Sequence, residues 1–495
     1  MYSLGIDIGS SSVKVNILNI ENGESVANAF YPKNEMKIIS KKSGWAEQNP
    51  ETWWENFLRA YKEAISKYNI DTKIIVSIGI TYQMHGLVAV DKYGNILRPS
   101  IIWCDSRANE IGEKAFEEIG QSIVLDHLLN SPGNFTAAKL SWVKNNEPEI
   151  FEKIDKIMLP GDFISYKLTG KINTTVSGLS EAILWDFKNE NVSELILNYF
   201  GFNKNIIPGI NNTFDIHGNI STETAKELGL KAGIPVSYKA GDQPNNAFSL
   251  NVNNPGEIAA TAGTSGVIYG ITDKLKVDQK SRVNTFAHVN HNPYNRNLGI
   301  LLCVNGTGIM NSWLKNNFFK NLTYPELNHK ASEINIGSDG LCVYPFGNGS
   351  ERILENKNIG SSIKFLNFNI HNENHILRAA QEGIVFSLYY GIKIMQSLDF
   401  KLNIIKAGMA NMFQSNIFKQ SLSDITNCEI ELYNTDGALG AARGAAYSSG
   451  FYKSFDETFN SLKKIETITP NNSNSIAINE AYNNWEENLN KILNH

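Results

Sequence analysis

One pattern constrains this chain more than any other, and it occurs twice: an apolar β-prone run, a turn of glycine and hydroxyl residues, and a second apolar run. The first copy reads Leu4-Gly5-Ile6-Asp7-Ile8-Gly9-Ser10-Ser11-Ser12-Val13-Lys14-Val15-Asn16-Ile17-Leu18. The second reads Ile258-Ala259-Ala260-Thr261-Ala262-Gly263-Thr264-Ser265-Gly266-Val267-Ile268-Tyr269-Gly270. Each predicts a β-hairpin. Their separation is one domain length, so they mark a duplicated architecture and not a solenoid. At 495 residues the chain has room for two such domains, each with its own core. Helical patterns over 50–68 and 136–145 alternate with an apolar strand over 74–80, which predicts an α/β fold. The turn-rich stretch Asn251-Val252-Asn253-Asn254-Pro255-Gly256 puts the boundary near residue 250, dividing the chain into 1–250 and 251–495. The linker is short, so the two domains are expected to face each other across a cleft. Residues 451–495 read as a helical C-terminal appendage on the second domain.

Charge narrows the partners. Forty-five basic residues against 50 acidic ones leave a net charge of −5, and no basic block of the kind that grips a phosphate backbone occurs, which argues against nucleic acid. No apolar run reaches the ~18 residues of a membrane span, and the N-terminus lacks the basic start and apolar core of a signal peptide. Cys104, Cys303, Cys342 and Cys428 are far apart with no Cys-x-x-Cys spacing, so neither a zinc site nor a secreted disulfide framework is expected. No His-Glu-x-x-His spacing is present either. A soluble protein of the reducing cytoplasm fits this set.

Several segments carry candidate chemistry. Asp7 ends a strand at a turn holding Gly9, Ser10 and Ser11, with Lys14 following; glycine lets backbone N–H groups approach phosphate oxygens, and the carboxylate could be directed at a metal. Alone this is as compatible with a capped hairpin turn, but Gly263, Thr264, Ser265 and Gly266 repeat it. Two such hairpins fit a nucleotide held between two phosphate loops. A Walker loop is absent, and a dinucleotide fingerprint would lead directly into a helix. In Ala240-Gly241-Asp242-Gln243-Pro244-Asn245-Asn246-Ala247, Asp242 falls just past a strand end, where a carboxylate can take a hydroxyl proton while neighbouring amides orient a polyol. The plain alternative is a helix N-cap. His85, in Thr81-Tyr82-Gln83-Met84-His85-Gly86, suits a hydrogen bond to a sugar hydroxyl, against the commoner structural histidine. Trp103 and Asp105, in Trp103-Cys104-Asp105-Ser106-Arg107, read as a salt-bridged loop with sugar binding as its further role. Gly408 and Asn411, after the strand-like Ile404-Ile405-Lys406-Ala407, offer a turn that can admit an adenine ring. The small-residue stretch Thr435-Asp436-Gly437-Ala438-Leu439-Gly440-Ala441-Ala442-Arg443-Gly444 reads as a helix built for close packing.

Taken in order from Tyr2 to about Tyr447, these segments resemble the FGGY carbohydrate kinases of the actin and hexokinase superfamily, and within them the xylulokinase branch. The most specific stretches are Gln83-Met84-His85-Gly86, Trp45-Ala46-Glu47-Gln48-Asn49-Pro50 with Trp53-Trp54, and Phe135-Thr136-Ala137-Ala138-Lys139-Leu140-Ser141-Trp142. Leu159-Pro160-Gly161-Asp162-Phe163 with Leu168-Thr169-Gly170, and Gly349-Ser350-Glu351-Arg352, add to them. The resemblance implies a two-domain, ribonuclease H-like ATPase fold with an interdomain cleft, and phosphoryl transfer from ATP to the terminal hydroxyl of D-xylulose. It further implies that Asp242 is the base, that Met84 and His85 contact the sugar, and that Gln243 supports it. Asp7 and Asp242 would lie near a magnesium ion held mostly by phosphates and water, and Asn416 would contact the adenosine. Gln243 stands where xylulokinases usually carry asparagine, as in glycerol kinase-like members; Asn367 and Asn134 also depart from the family signatures.

Three other readings stay open. A kinase for another ketose or polyol, such as ribulose, xylitol or glycerol, is kept alive by Gln243. A non-catalytic sugar- or nucleotide-binding protein of the same fold would sit uneasily with the presence of Asp7, Asp242 and both loops. An actin-like polymer would leave Met84 and His85 without a purpose. Small-molecule sugar and ATP are therefore the expected partners, with neither nucleic acid nor membrane, and a homodimer is compatible with the family.

Overall fold

A computed structural model describes residues Met1–Asn494, and the chain divides into two compact units. The first is Met1–Asn251 with Phe286–Leu298 and Thr435–Leu462; the second is Val252–Thr285, Gly299–Asn434 and 463–494. The linear split near residue 250 follows the chain to Asn251, but it does not describe the two later segments that return to the first unit.

The first unit is built on a six-stranded sheet in the order Gly218–Asn219, Pro235–Gly241, Ile75–Tyr82, Tyr2–Ile8, Val13–Asn19, Ser25–Tyr31. The last three strands run antiparallel as a meander, whereas Tyr2–Ile8, Ile75–Tyr82 and Pro235–Gly241 are mutually parallel. The second unit repeats this plan with Leu298–Val304, Gly266–Thr272, Glu257–Ala262, Ile404–Gly408, Ile430–Tyr433 and Lys464–Ile468, plus an added edge strand at Asn284–Ala287. Here too the hairpin is antiparallel and the two strands after it are parallel. Both repeated motifs are thus the opening hairpins of sheets with the same topology. The helix Pro50–Tyr68 has the bounds its periodicity predicts, Thr136–Asn146 extends the expected one by one residue, and the strand at 75–82 continues two residues further toward His85.

The small-residue helix Gly437–Ser448 packs on the first sheet at backbone distance. A Cβ on Gly5 would lie 1.8 Å from the Ala438 carbonyl oxygen, and one on Gly79 would lie 2.0 Å from that of Ala441. From the helix side, Gly440 meets Ser249 and Gly444 meets the Tyr238 ring. Strand hydroxyls add to the seam: Ser3 Oγ donates to Ala442 O at 2.7 Å and Ser237 Oγ to Ala445 O at 3.0 Å.

The C-terminal stretch is not an appendage. Phe455–Phe459 lies in the first unit, Lys464–Ile468 is an edge strand of the second sheet, and Ser475–Leu493 buries Ile478, Tyr482, Trp485 and Leu489 in the second core. Trp485 Nε1 donates to Val343 O and Tyr344 Oη to Trp485 O, each at 3.0 Å. These four residues recur at helical spacing on one face, and the surrounding asparagines and glutamates occupy the other.

Because the atom met at Gly79 is helix backbone, a methyl group there has nowhere to go. Gly79→Ala is expected to destabilise the first unit by about 1–3 kcal/mol or more, read as a lowered thermal midpoint, while Gly209→Ala, which meets nothing within 4 Å, leaves the melt unchanged. Equal melts for the two variants would contradict the packing.

Candidate active site

The carboxyl ends of the three parallel strands of the first unit gather most of the polar residues singled out above, as expected for ligand sites on such sheets. Asp7 and Lys14 face each other as one rung of the opening hairpin, with Lys14 Nζ 3.7 Å from Asp7 Oδ2. The turn beyond them is closed by Gly9 N donating to Ser12 O, and the buried Gln48 ties it to the neighbouring strand. Gln48 Nε2 donates to Ser10 O at 2.7 Å, and Gln48 Oε1 accepts from Gln83 Nε2 and Trp53 Nε1. Met84 and His85 follow the end of the Ile75–Tyr82 strand. Asp242 follows Gly241, the last residue of its strand, and opens the helix Asp242–Ser249; the N-cap position belongs to Gly241, so Asp242 is not spent as a cap. A Cβ at Gly241 would lie 2.7 Å from Met84 Cγ and 3.2 Å from Glu181 Oε1. Glycine is therefore what lets the Met84 side chain reach the backbone beside Asp242.

Electrostatics sets this cluster apart. Burial, and then the charge of Asp7, pushes the Asp242 carboxyl up to about 7, against hydrogen bonds from the Gln243 backbone and side chain and the positive charge of Lys14. Asp7 is raised by burial and by the Asp436 charge, with Lys14 opposing. Lys14 is raised chiefly by Asp7, with Asp436 and Asp242 contributing. Three carboxylates thus share one ammonium group. A carboxyl with its midpoint near neutrality can hold or release a proton at working pH, as a general base must.

His85 sits against rings of Phe135 and Phe286, with centroids 4.7 and 5.5 Å away. Glu181 and Lys139 hold it from behind: His85 N donates to Glu181 Oε2 at 2.9 Å, and Lys139 Nζ donates to His85 O at 2.9 Å.

The second unit contains a cavity of about 810 Å3 lined by Gly263 and Thr264 of its hairpin turn, Gly308–Ser312 residues of the following helix, Asn328 and Ser332, and Asn411, Ser415 and Asn416. Gly308 N donates to Gly263 O and Ile309 N to Thr264 O, seating the helix end on the turn; a Cβ on Gly308 would lie 2.2 Å from Gly263 O. Ser415 Oγ donates to Gln381 Oε1, and Gln381 Nε2 to Asn328 Oδ1, at 2.6 and 3.0 Å. The volume suits a nucleoside-sized ligand.

Comparison with known proteins decides what this pair of sites belongs to. Residues 2–249 match the N-terminal domain of the FGGY family of carbohydrate kinases, and residues 258–449 match its C-terminal domain. The chain belongs to the FGGY carbohydrate kinases. It is similar to the xylulose kinase of Bacillus subtilis (31% identical over 465 residues, 92% of this chain and 90% of the relative) and to that of Escherichia coli K12 (29% over 450 residues, 90% and 89%). In fold it is similar to a ligand-bound xylulose kinase from Lactobacillus acidophilus (TM-score 0.91, 23% identity, 99% and 98% coverage) and to Plasmodium falciparum glycerol kinase with ADP (0.87, 22%, 99% and 98%). This is the actin- and hexokinase-like two-domain fold, and the protein is a phosphotransferase acting on a sugar or polyol hydroxyl.

Not every residue expected at an FGGY site is gathered here. Trp103 is, since its Nε1 lies 3.3 Å from Ser10 Oγ at the first turn. Asp105 is fully buried, accepting from Ala46 N and pairing with Arg107 at 2.7 Å. Arg107 in turn lies over the Trp45 and Trp142 rings and pairs with Glu47. Its oxygens are taken up by this cage, which leaves Asp105 the structural half of its expected role. Among the second-unit residues, Gly263, Thr264, Asn411 and Asn416 line the cavity, whereas Ser265 hydrogen-bonds Cys303, Gly266 is buried against Thr307, and Gly408 ends its strand short of the cavity wall. Two residues were missed. Asp436 carried only a helix-cap signal, and its carboxylate does accept from Leu439 N at 2.7 Å; Glu181 carried no signal at all.

The midpoint near 7 has a kinetic consequence. If Asp242 works as the general base it must be ionised, and kcat/KM should then fall tenfold per pH unit below about 7. Asp7→Asn, which removes a negative neighbour, should move that limb to lower pH in whatever activity remains. A limb in the ordinary carboxylate range in the unaltered enzyme would contradict the electrostatic assignment.

Proposed function

We propose that the protein transfers the γ-phosphoryl group of ATP to the terminal hydroxyl of D-xylulose, giving D-xylulose 5-phosphate, with Asp242 as general base. The observation that carries this reading is the raised Asp242 carboxyl, one residue beyond the Gly241 backbone that Met84 packs on, with Asp7 and Lys14 paired across the opening hairpin of the same sheet. The names of its curated relatives favour xylulose as the sugar.

Phosphoryl transfer asks mainly for positioning and charge neutralisation. In this reading His85 and Met84 orient the ketose, Gln243 keeps the Asp242 carboxylate aimed, and Trp103 walls the first turn. The hydroxyl oxygen forms the new bond to phosphorus as its proton passes to Asp242, and the bond between the β,γ-bridging oxygen and the γ-phosphorus breaks to release ADP. Gly9, Ser10 and Ser11 of the first unit and Gly263 and Thr264 of the second are assigned to phosphates, and the cavity around Asn411 and Asn416 to adenosine. Carboxylates crowded around a single lysine are a donor set that suits a hydrated divalent cation. Magnesium would be held by nucleotide phosphates and water with Asp7 and Asp242 nearby, and when bound it neutralises charge on the transferring group. Among the described residues no group of three or more His, Cys, Asp or Glu forms a cage for a metal, and none of the helices is long and apolar enough to cross a membrane. Four free cysteines accord with a cytoplasmic setting.

A second reading, a kinase for another ketose or polyol, rests on Gln243. Coupled ADP release across D-xylulose, L-xylulose, D-ribulose, L-ribulose, xylitol, glycerol and gluconate separates the two. D-xylulose should give the highest kcat/KM, and gluconate, an anion entering a pocket already holding Asp7 and Asp242, should give none. A different best substrate overturns the sugar assignment alone. Asp242→Ala should lower kcat at least a thousandfold while ATP still binds; near-normal turnover removes it as the base. Ser332→Trp, an exposed lip of the second cavity, should raise the KM for ATP at least tenfold and leave the sugar KM unchanged.

A further inference from the structure

His85 is the one residue at the sugar-facing strand end held in the left-handed backbone region, at φ 62. For a side-chain-bearing residue that conformation persists only where surroundings impose it. The imposing group is Glu181, at the end of the short helix Val176–Glu181 and 1% exposed. Its carboxyl accepts from His85 N at 2.9 Å, its backbone carbonyl oxygen lies 2.9 Å from His85 Nδ1, and Oε2 lies 3.4 Å from the same nitrogen. A carbonyl oxygen only accepts, so Nδ1 carries the proton and Nε2 is the unprotonated ring nitrogen. The other carboxyl oxygen lies against Gly241, one residue before the base.

Glu181 stands on a rigid frame. Thr175 caps its helix by accepting from Gly178 N at 2.9 Å; Ser177 Oγ donates to Ala287 O, and Ser180 Oγ accepts from Ala287 N. Ala137 N donates to Ala182 O. The same bonds bring Phe286 over the His85 ring.

We infer that Glu181 is a positioning residue for the phosphoryl acceptor: its carbonyl fixes the His85 tautomer, and its carboxyl fixes the His85 backbone and braces Gly241, so that sugar affinity depends on a side chain that never touches the sugar. Second-sphere groups that orient a ligand-binding histidine commonly have effects of this kind. Burial holds the Glu181 carboxyl well above its ordinary range, with Asp242 and Asp162 adding to the rise. A glutamine amide keeps an acceptor oxygen at the same place without the carboxyl charge.

The inference rests on the proposed sugar-kinase reading for its kinetic arm and not for its structural one. Glu181→Ala should raise the KM for the best ketose at least tenfold, change kcat less, and leave the KM for ATP within twofold. Glu181→Gln should restore most of the loss, and in a His85→Ala background Glu181→Ala should cost little more. Should the alanine variant fail to fold, Glu181→Met, which fills the space and accepts nothing in the same way, carries the comparison. Independently of any substrate, hydrogen–deuterium exchange should show peptide 83–87 protected in the wild type and in Glu181→Gln, and exposed in Glu181→Ala with an unchanged thermal midpoint. An unchanged ketose KM, additive effects with His85→Ala, or equal exchange in all variants overturns the positioning role. A wild type that phosphorylates no sugar, with the exchange pattern as stated, overturns the functional reading instead.

Discussion

The first unit depends on the seam where the helix Gly437–Ser448 lies backbone to backbone on the sheet at Gly5 and Gly79. A side chain at either glycine would hold the helix off by more than an ångström. Its other consequence is chemical. The N-terminus of this helix comes close to Asp7, since a Cβ on Gly437 would lie 3.0 Å from Asp7 Oδ2. Asn245 Nδ2 donates to Gly437 O, and Ser249 Oγ to Asp436 O, each at 2.9 Å, so the helix carrying Asp242 is tied to the same end. Close packing of small residues thus determines how near the Asp436 charge stands to Asp7, the carboxylate whose charge raises Asp242.

That chain of effects shows why a cluster of like charges is tolerated. Asp436 raises Asp7 and Asp7 raises Asp242, which costs stability at neutral pH, and a single lysine offsets only part of the repulsion. A fold selected for stability alone would replace one of the acids. The arrangement makes sense where a cation-bearing phosphate is to be received, because a site already short of positive charge gains most from the ligand that brings it.

What was legible in the sequence follows the range of the contacts involved. Asp7 and Lys14 are seven residues apart, and hairpin register alone sets them opposite each other. Asp242 and His85 were visible because strand ends in α/β folds are where ligands sit. Glu181 was invisible, because its contact with His85 joins residues 96 apart in the sequence and is made by tertiary packing. At Asp105 the salt bridge to Arg107, two residues on, was legible in the sequence, but the Ala46 N–H that also donates to its carboxylate and the Trp45, Trp142 and Glu47 side chains that cage Arg107 arrive from distant segments. In the C-terminal stretch the face carrying Ile478, Tyr482, Trp485 and Leu489 was present all along, outnumbered by the asparagines and glutamates around it.

The two opening hairpins share topology, and the rung next to the turn-closing pair separates their chemistry. In the first, the rung next to the turn-closing pair is Asp7 opposite Lys14; in the second it is Thr261 opposite Val267. The second hairpin is neutral there, and its turn is engaged by a helix: Gly266 admits Thr307 within 2.5 Å of where its Cβ would be, and the Gly263 and Thr264 carbonyls accept the first N–H groups of Gly308–Phe318. One copy therefore keeps charge at its turn, while the other uses its turn to seat a helix beside a nucleoside-sized cavity. On the proposed reading this is how a duplicated fold divides one reaction: the charged copy works on the proton and the phosphoryl group, and the neutral copy holds the rest of the nucleotide without competing for the cation.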